Sequence, residues 1–388
     1  MISISNLVFR MKKNAVGLAT IAILSSMVLV TLVGAASIYA GKKDYLVSAA
    51  PHDYSVSGNK VDLTSTKKLM DDFLIKTGEQ VNEEVAVSYL FFGIKNQETN
   101  KLTVFTKNER KVVPKSIVLV FSQETFKQLT GKELNLSSNQ IALYTKNKTF
   151  KTQKSLSIDG KNYQIHRQLG DFINKKVPNI YKIIVSDYSY LVVPDIKIFE
   201  SSMKGTSIAQ ATYVGVNVKD STHDAKKNLD LLDQIAGEAT KQLAGQTTGV
   251  PESYFSANSR YDAEGMVNGF VGGTFFISIF LSIIFMLGTV LVIYYKQISE
   301  GYEDRERFVI LQKIGLDDQQ VKKTIRKQVL TVFFLPLIFA FIHLAFAYHM
   351  LSLIIRLIGV LNPDLMLVVT IIVCGVFFLA YVLVFVLT

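Results

Sequence analysis

Four long apolar segments limit what this chain can fold into more than any other feature of its sequence. No Asp, Glu, Lys or Arg occurs in residues 15–40, 267–295, 329–355 and 365–387. About 20 apolar residues suffice for a helix to cross the hydrocarbon core of a bilayer. A charged side chain at the centre of such a helix costs about 2.5–3.5 kcal/mol of insertion free energy, so charge-free segments of this length are a strong signal. The sequence therefore predicts a membrane α-helical protein with four transmembrane helices.

The stretch between the first and second spans, residues 41–266, is long enough for a folded domain and carries most of the charge. It holds 30 of the 42 Lys and Arg residues and 25 of the 32 Asp and Glu residues, a net charge of 30 − 25 = +5. Basic residues close to spans mark the cytoplasmic side of a membrane. Arg10, Lys12 and Lys13 precede the first span, and the loop of residues 296–328 carries eight basic against six acidic residues. We therefore expect cytoplasmic N and C termini and an extracytoplasmic domain at 41–266.

Residues 1–14 are predicted to form an interfacial amphipathic helix on the cytoplasmic surface. Their apolar residues recur at the helical spacing i, i+3, i+4 and i+7, namely Ile4, Leu7, Val8 and Met11. A secretory signal peptide is the alternative, because small residues near Ala36 would suit a signal peptidase. The apolar run at 15–40 is longer than the roughly 7–15 residues of a signal-peptide core, which favours a retained span.

The 41–266 domain is predicted to belong to the α+β class, because strand-like and helix-like stretches alternate irregularly along it. Strands are expected at residues 53–57, 85–94, 102–106, 116–121 and 211–218. Helices are expected at residues 63–76, at 122–131, and from His223 or Asp224 to Leu243. Thr64 or Ser65 is expected to cap the first of these helices, and Gly131 to end the second.

The clearest local pattern in this domain is Leu156-Ser-Ile-Asp159-Gly160-Lys-Asn-Tyr163-Gln-Ile. An Asp-Gly pair between two alternating runs is typical of a type I′ turn, in which both central residues need positive φ. The pattern therefore predicts a β-hairpin in which Leu156 faces Tyr163.

Composition and motifs argue against several functional classes. The formal net charge is +10, but no arginine-rich stripe, helix-turn-helix or zinc-finger spacing occurs, so we expect no nucleic-acid partner. The sequence has no phosphate-binding G-x-x-x-x-G-K-[ST] loop and no hydrolase or metalloprotease motif. Five scattered histidines do not suggest a metal site, and the single cysteine, Cys374, cannot form an internal disulfide. We therefore expect a protein that is not an enzyme and binds no cofactor.

One basic stretch of the outer domain is a candidate ligand-binding site. Its four lysines have no acid between them and are Lys146, Lys148, Lys151 and Lys154. Such lysines could bind phosphate or pyrophosphate groups of lipids or lipid-linked precursors. A solvated arm that leads into the hairpin is the alternative. The acids Glu83 and Glu84, or Asp230 and Asp233, could instead form a site of opposite sign.

Two features of the spans are candidates for packing or function. Gly265, Gly269 and Gly273 recur at four-residue spacing, and a stripe of small residues lets a second helix approach closely. Scattered glycines are the alternative. His343 and His349 lie in the third span, where an ionisable group is a candidate functional residue. A neutral imidazole that is hydrogen-bonded to a neighbouring helix is the alternative for His343.

The 296–328 loop contains the pattern Arg305-Glu-Arg-Phe308-Val-Ile-Leu311-Gln-Lys313-Ile314-Gly315. Phe308, Leu311 and Ile314 have the spacing of one helix face. Gly315 suits the position after a helix, and Asp317 or Asp318 can cap the next one. A short amphipathic helix of this kind can dock in a groove of a cytosolic partner. The pattern resembles the coupling region of FtsX-like ABC permeases, whose four-span unit also carries its extracytoplasmic domain after the first span.

The closer resemblance is to the C-terminal half of the bacitracin-type (Bce-like) peptide-resistance permeases, and it runs from about Ser5 to the end. The residues that carry it are Phe9-Arg10-Met11-Lys12, Tyr213-Val-Gly-Val-Asn-Val218, Pro336-Leu337, His343 and Phe346. Residues 267–388 would then be the FtsX-like permease domain. Among its departures from that family, the chain has four spans where members have ten, and Gln312 stands where Arg is common.

The resemblance implies a permease subunit of an ABC transporter for antimicrobial-peptide resistance or sensing, in the plasma membrane of a Gram-positive bacterium. A separate cytosolic ATPase would bind ATP and contact Phe308, Leu311, Lys313, Ile314 and Gly315. Other expected partners are a two-component sensor kinase, the missing N-terminal permease half, and a peptide antibiotic or lipid-linked cell-wall precursor. Two alternatives stay open. One is an FtsX-like mechanotransmitting permease for cell-wall hydrolase regulation or for lipoprotein or macrolide export, and the other is a membrane-anchored sensor without an ATPase.

Overall fold

The computed structural model describes residues 15–98, 100–109, 114, 116–178, 185, 187–219, 224–244, 252–313, 318–357, 360 and 362–387. These residues form two compact units. The described parts of residues 1–42 and 268–388 make up the first unit, and those of residues 43–267 make up the second. The predicted interfacial helix at 1–14 lies outside the described residues.

The elements follow one another along the chain as α1 (Ala15–Ala49), β1 (Tyr54–Asn59), α2 (Leu63–Thr77), β2 (Val81–Glu98), β3 (Lys101–Val104), β4 (Ser116–Ser122), α3 (Gln123–Thr130), β5 (Gln140–Thr145), α4 (Lys148–Lys151), β6 (Ser155–Ile158), β7 (Lys161–Gln168), β8 (Asp187–Val193), α5 (Ile196–Ser202), β9 (Ile208–Val218), α6 (Ala225–Ala244), β10 (Tyr254–Ser259), α7 (Arg260–Lys313), α8 (Asp318–Leu357) and α9 (Pro363–Leu387).

Helices α1, α7, α8 and α9 are each long and apolar enough to cross a membrane. They contain the four charge-free segments but extend beyond them. Charged residues end an apolar run, but outside a bilayer they are compatible with an α-helix. Helix α1 continues past residue 40 to Ala49, and α7 begins at Arg260. Helices α7 and α8 also cover most of the 296–328 loop, while Ile314, Gly315 and Asp317 lie outside the described residues.

In the first unit, the apolar side chains of all four helices share one core. Its buried members are Ile21, Val28, Leu29, Val33, Ile293, Phe333, Leu337, Ala340, Leu344, Phe377 and Tyr381. Pro336 lies inside α8, where its ring removes a backbone donor and bends a helix. The Tyr381 hydroxyl of α9 donates to the Phe333 carbonyl at 2.8 Å, so the turn that precedes this proline is tied to the neighbouring helix.

The second unit is an α+β domain built on one ten-stranded sheet. Seven of its strands close into a ring in the order β2, β3, β6, β7, β5, β8, β4 and back to β2. Strand β9 pairs with the first part of β2 and carries β1 and then β10 beside it. Apolar residues from every strand of the ring meet in one core, while α2 and α6 cover the β1, β9 and β10 part through a second core.

The predicted hairpin is confirmed. Strands β6 and β7 pair with Leu156 opposite Tyr163. The turn residues Asp159 and Gly160 both have positive φ, 48° and 84°, as a type I′ turn requires.

The helix ends of this unit are predicted correctly in one case and wrongly in another. Ser122 caps α3 by accepting from Thr125 N at 3.0 Å, and Gly131 ends that helix with φ 70°. The expectation that Thr64 or Ser65 caps α2 is wrong, because Asp62 is the cap and accepts from Ser65 N at 2.8 Å. A carboxylate two residues earlier reaches the free amide and also accepts from the Ser65 hydroxyl at 2.7 Å.

Candidate functional site

The four candidate lysines lie around the short helix α4 and the strand that follows it. Lys146 precedes α4, Lys148 and Lys151 are its first and last residues, and Lys154 immediately precedes β6. Lys151 and Lys154 are exposed. We call these residues the basic arm.

Aromatic rings lie beneath the start of the basic arm. The ammonium of Lys146 lies 5.0 Å from the centre of the Tyr188 ring, and Tyr144 packs against Tyr188 and Tyr190 with ring centres 6.2 and 4.8 Å apart. A cation over an aromatic face is held by the ring quadrupole. Burial, followed by the charge of Asp171, raises the pKa of Tyr144, so this hydroxyl stays neutral.

The basic arm therefore begins with a cation, Lys146, that is held over the buried ring of Tyr188. Asn147 Nδ2 donates to Asp187 Oδ2 at 3.0 Å, which fixes the residue next to Lys146. The positive charge of its lysines suits an anionic group.

Two of the acids that could form a site of opposite sign, Glu83 and Glu84, have partners of their own in the structure. Glu84 pairs with Lys67 at 3.0 Å, and Glu83 accepts from Asn217 Nδ2 at 3.1 Å. Asp230 lines an open groove of about 420 Å³ whose other residues are Asp224, Ala225, Lys226, Lys227 and Tyr261, so its charge is mixed. Burial and the nearby acids Asp230 and Asp262 raise the pKa of Asp233, so negative charge is concentrated around this carboxyl group.

A polar cluster that the sequence did not predict lies where the sheet leads into α1 and α7. Arg260, the first residue of α7, donates from Nη1 to Asp53 Oδ1 at 3.2 Å, from Nε to the Ala50 carbonyl at 3.3 Å and from Nη2 to the Pro51 carbonyl. Asp53 Oδ2 accepts from the Val218 amide at 3.0 Å. Arg260 was missed because its partners come from distant parts of the sequence. Its position directly before the second span is the only sequence signal for it.

His52 lies fully buried beside this cluster. Its Nδ1 is 2.7 Å from the Tyr213 hydroxyl, and a Cβ added to Gly215 would lie 2.5 Å from the same nitrogen. Only glycine therefore leaves room for the imidazole. Burial lowers the pKa of His52 to about 4, against the opposing charge of Glu83, so the folded domain holds this histidine neutral.

This pKa predicts a loss of stability in acid. Unfolded histidine titrates near 6.5, so the stabilisation from neutral His52 is complete above that pH and is lost as the pH falls towards 4. Between pH 7 and pH 4.5, the free energy of unfolding should then fall by about 2.5 kcal/mol more than in His52→Gln. The measurement is urea unfolding of the detergent-solubilised chain at pH 7 and pH 4.5, followed by tyrosine circular dichroism. His166→Gln, which changes an exposed histidine, should leave the wild-type pH dependence intact. Equal pH dependence in wild type and His52→Gln would contradict the assignment.

In the first unit, His343 reaches a neighbouring helix. Its Nδ1 lies 3.2 Å from Ser26 Oγ of α1, and this hydroxyl is 2.7 Å from the Ala22 carbonyl. A hydroxyl has one proton. If Ser26 donates it to Ala22, it accepts from His343 Nδ1–H. An apolar cavity of about 390 Å³ lies beside this contact and is lined by Ala15, Leu18, Ala19, Ala22, Ile23, Leu335, Pro336, Phe339 and His343.

The glycine stripe has an open face in the part of the chain that the structure describes. Within the described residues, a methyl group added at Gly265, Gly269 or Gly273 would meet no atom within 4 Å. The other helices of the first unit pack elsewhere on α7, which leaves this stripe open. Close packing of the stripe against a further helix stays a prediction.

The candidate ATPase-contact residues lie at the end of α7. Phe308, Leu311 and Lys313 belong to its last two turns, whereas Ile314 and Gly315 lie outside the described residues. The backbone of the first three is therefore helical, as the spacing predicts.

Comparison with known proteins finds two relatives. The ABC transporter permease protein YxdM of Bacillus subtilis is 22% identical over 355 residues, which cover 90% of this chain and 51% of YxdM. The bacitracin export permease protein BceB of the same organism is 30% identical over 140 residues, 36% of this chain and 19% of BceB. This chain thus spans about half the length of YxdM. No protein-family profile matches it.

A solved structure described as a lipoprotein of Bacillus anthracis is 12% identical and aligns with 45% of this chain and 92% of its own, at a TM-score of 0.24. That score is too low to bear on the fold. The two permeases confirm the resemblance of this chain to ABC transporter permeases of the Bce-like type. Together with the four apolar helices they support a multi-pass membrane protein.

Proposed function

We propose that this chain is a permease subunit, or part of one, in an ABC transporter for antimicrobial-peptide resistance or sensing. The observation that carries the proposal is the similarity to YxdM over 90% of the chain. The second relative, BceB, is a bacitracin export permease, and it supports the peptide-resistance class over the other activities of FtsX-like permeases.

The second unit would lie outside the cell and the junction of α7 and α8 inside it. The distribution of basic residues supports this direction, because Arg10, Lys12 and Lys13 precede the first span and the 296–328 segment nets 8 − 6 = +2. The net charge of +5 on the outer domain does not oppose it, since long domains are translocated largely regardless of charge. Both termini are then cytoplasmic, and the membrane is the plasma membrane of a Gram-positive bacterium.

ATP hydrolysis would take place in a separate cytosolic subunit, since the sequence contains no phosphate-binding loop of its own. Phe308 and Leu311, near the end of α7, would contact that subunit together with Ile314. Lys313 would contribute a positive charge to the contact, and Gly315 would mark the place where the contacting segment ends. A sensor kinase and a second permease half are further proposed partners, and the length of YxdM leaves room for the latter.

The basic arm would contact the ligand. A domain with net charge +5 repels a free cationic peptide at long range. A pyrophosphate-bearing lipid precursor, alone or in complex with a peptide, has the opposite sign and an apolar tail. The lysines of the basic arm match the first of these properties, the negative charge.

Cysteine labelling tests this arrangement, because a cytosolic ATPase can act only if the α7–α8 junction is inside. Cys374 is the single cysteine, so Cys374→Ala provides a cysteine-free background. In intact cells, Lys132→Cys, at an exposed position of the outer domain, should react with an impermeant maleimide, whereas Asp317→Cys should react only after lysis. Labelling of Asp317→Cys in intact cells, with protection of Lys132→Cys, would rule out the proposed function.

A further inference from the structure

The two membrane helices that flank the outer domain meet the sheet at neighbouring points. Strands β1 and β10 are antiparallel, and Tyr54 pairs with Ser259 at one end of this ladder. The Arg260 amide extends the ladder by donating to the Asp53 carbonyl at 3.0 Å. Helix α1 ends at Ala49, just before β1, and α7 begins at Arg260, directly after β10. The chain therefore enters and leaves the domain through one small area.

Arg260 connects three elements within this area. The Ala50 amide bonds to the Leu46 carbonyl at 2.8 Å, so Ala50 closes the last turn of α1 and its own carbonyl lacks a helical partner. Arg260 Nε donates to that carbonyl, and Nη1 donates to Asp53 at the start of β1. A cation at a helix C terminus is also favoured by the helix dipole.

The far side of the cluster belongs to β9. Asn217 Oδ1 accepts from the Asp53 amide at 3.1 Å and lies 3.5 Å from Arg260 Nη2, while the Val218 amide donates to Asp53. Tyr213 and Gly215 of the same strand receive His52. The stretch from Tyr213 to Val218, one of those that carry the resemblance to Bce-like permeases, thus supplies the sheet side of the junction.

We propose that Arg260 is the positioning residue that fastens the ends of α1 and α7 to the outer sheet, so that a displacement of the sheet reaches both helices together. This inference rests on the proposed function, in which ligand binding outside controls an ATPase inside. Arginine suits the role because its fork of donors reaches two carbonyls and a carboxylate at once, whereas a lysine has one donor atom. With side-chain exposures of 34% and 14%, Arg260 and Asp53 are partly shielded from water.

The test compares Arg260→Gln and Arg260→Lys with the matched control Lys60→Gln. Lys60 follows the other end of β1 and pairs with Glu252, just before β10, at 2.6 Å. The control therefore breaks an ion pair beside the same two strands, at the end of the ladder away from α1 and α7. Asp53→Asn, which keeps an acceptor for the Val218 amide, replaces Arg260→Gln if that variant does not accumulate in membranes.

Two readouts are taken on the full chain with the ABC ATPase that co-purifies with it, reconstituted in lipid nanodiscs. Arg260→Gln should speed hydrogen exchange of the Asp53 and Val218 amides about tenfold. It should also lower bacitracin-stimulated ATPase activity about tenfold while basal activity stays at the wild-type level. Arg260→Lys should recover part of both effects, and Lys60→Gln should match the wild type in both.

Each other outcome also decides the question. Unchanged exchange in Arg260→Gln, unchanged stimulation, or an equal loss of stimulation in Lys60→Gln would overturn the inference. If bacitracin does not stimulate even the wild-type complex, the proposed function fails. The hydrogen-exchange measurement then still tests whether Arg260 fastens the helix ends to the sheet. That inference is supported only if exchange in Arg260→Gln is faster at the junction and nowhere else.

Discussion

Cells whose only copy of this chain carries Leu311→Asp are expected to lose bacitracin resistance completely, although the chain still inserts in the membrane. If Leu311 fills an apolar groove on the ATPase, the change removes a contact of about 1.5–3 kcal/mol and leaves an unpaired charge in the interface. Anchors at the centre of an interface often cost 2 kcal/mol or more when truncated. The measurements are the minimum inhibitory concentration of bacitracin and the amount of ATPase that co-purifies with the tagged chain.

Val309→Asp is the matched control for this prediction. Residues advance by about 100° along a helix, so Val309 falls on the side of α7 opposite to Leu311. The same apolar-to-acidic change there should leave the ATPase bound and resistance near the wild-type level. Wild-type resistance in Leu311→Asp, or equal loss in both variants, would mean that this face of α7 is not the ATPase contact.

The features that could be read from the sequence are those whose causes are local. A charge-free run marks a span because insertion depends on the residues of that run. The turn at Asp159 and Gly160 needs positive φ at two neighbouring positions, and two adjacent letters supply it. Helix starts are harder to predict from the sequence. Asp62, Thr64 and Ser65 are all suitable capping residues, and only the position of the free backbone amides selects Asp62.

The closed ring and the junction could not be read in this way, because their partners are distant in sequence. The ring depends on β3 with β6, β4 with β8 and β5 with β7, all parallel pairs, and alternation within one strand does not say which strand lies beside it. Arg260 depends on Ala50 and Asp53, more than 200 residues earlier in the chain. From the sequence alone, an arginine before a span indicates only on which side of the membrane that end of the span lies.

The open glycine stripe illustrates a different limit. The spacing of Gly265, Gly269 and Gly273 predicts close helix packing but does not name the second helix. Within the described residues no helix occupies that face. The chain covers 51% of YxdM, so a further permease half is one candidate for the missing neighbour.

Changing all four lysines of the basic arm to Gln is expected to weaken binding of a lipid pyrophosphate by about tenfold or more at low salt. Each lysine near an anionic surface contributes about 1 kcal/mol, and Lys146 is additionally held over the Tyr188 ring. The ligand is undecaprenyl pyrophosphate, and the protein is the full chain in nanodiscs of uncharged lipid. Binding is measured at low and high salt, alone and with bacitracin present.

The matched control removes the same charge elsewhere. Lys68, Lys76, Lys132 and Lys197 are exposed lysines of the same domain, and changing these four to Gln lowers its net charge from +5 to +1 as well. If long-range attraction by net charge were sufficient, both quadruple variants would bind equally weakly. If the basic arm is the contact, only its own variant loses affinity, and the difference between the two shrinks at high salt because exposed charges are screened beyond about 10 Å at 0.1 M.

For free cationic peptide we expect the opposite result, so the experiment distinguishes a pyrophosphate ligand from a free peptide ligand. Removing positive charge from the basic arm should leave binding of cationic peptide unchanged or make it slightly tighter, since like charges repel. Peptide already complexed with the pyrophosphate should behave as the lipid does, because the anionic group then faces the lysines. Tight binding of free cationic peptide to the wild-type chain, undiminished in the basic-arm variant, would mean that recognition lies elsewhere on the domain and that the basic arm is only a solvated segment leading into the β6–β7 hairpin.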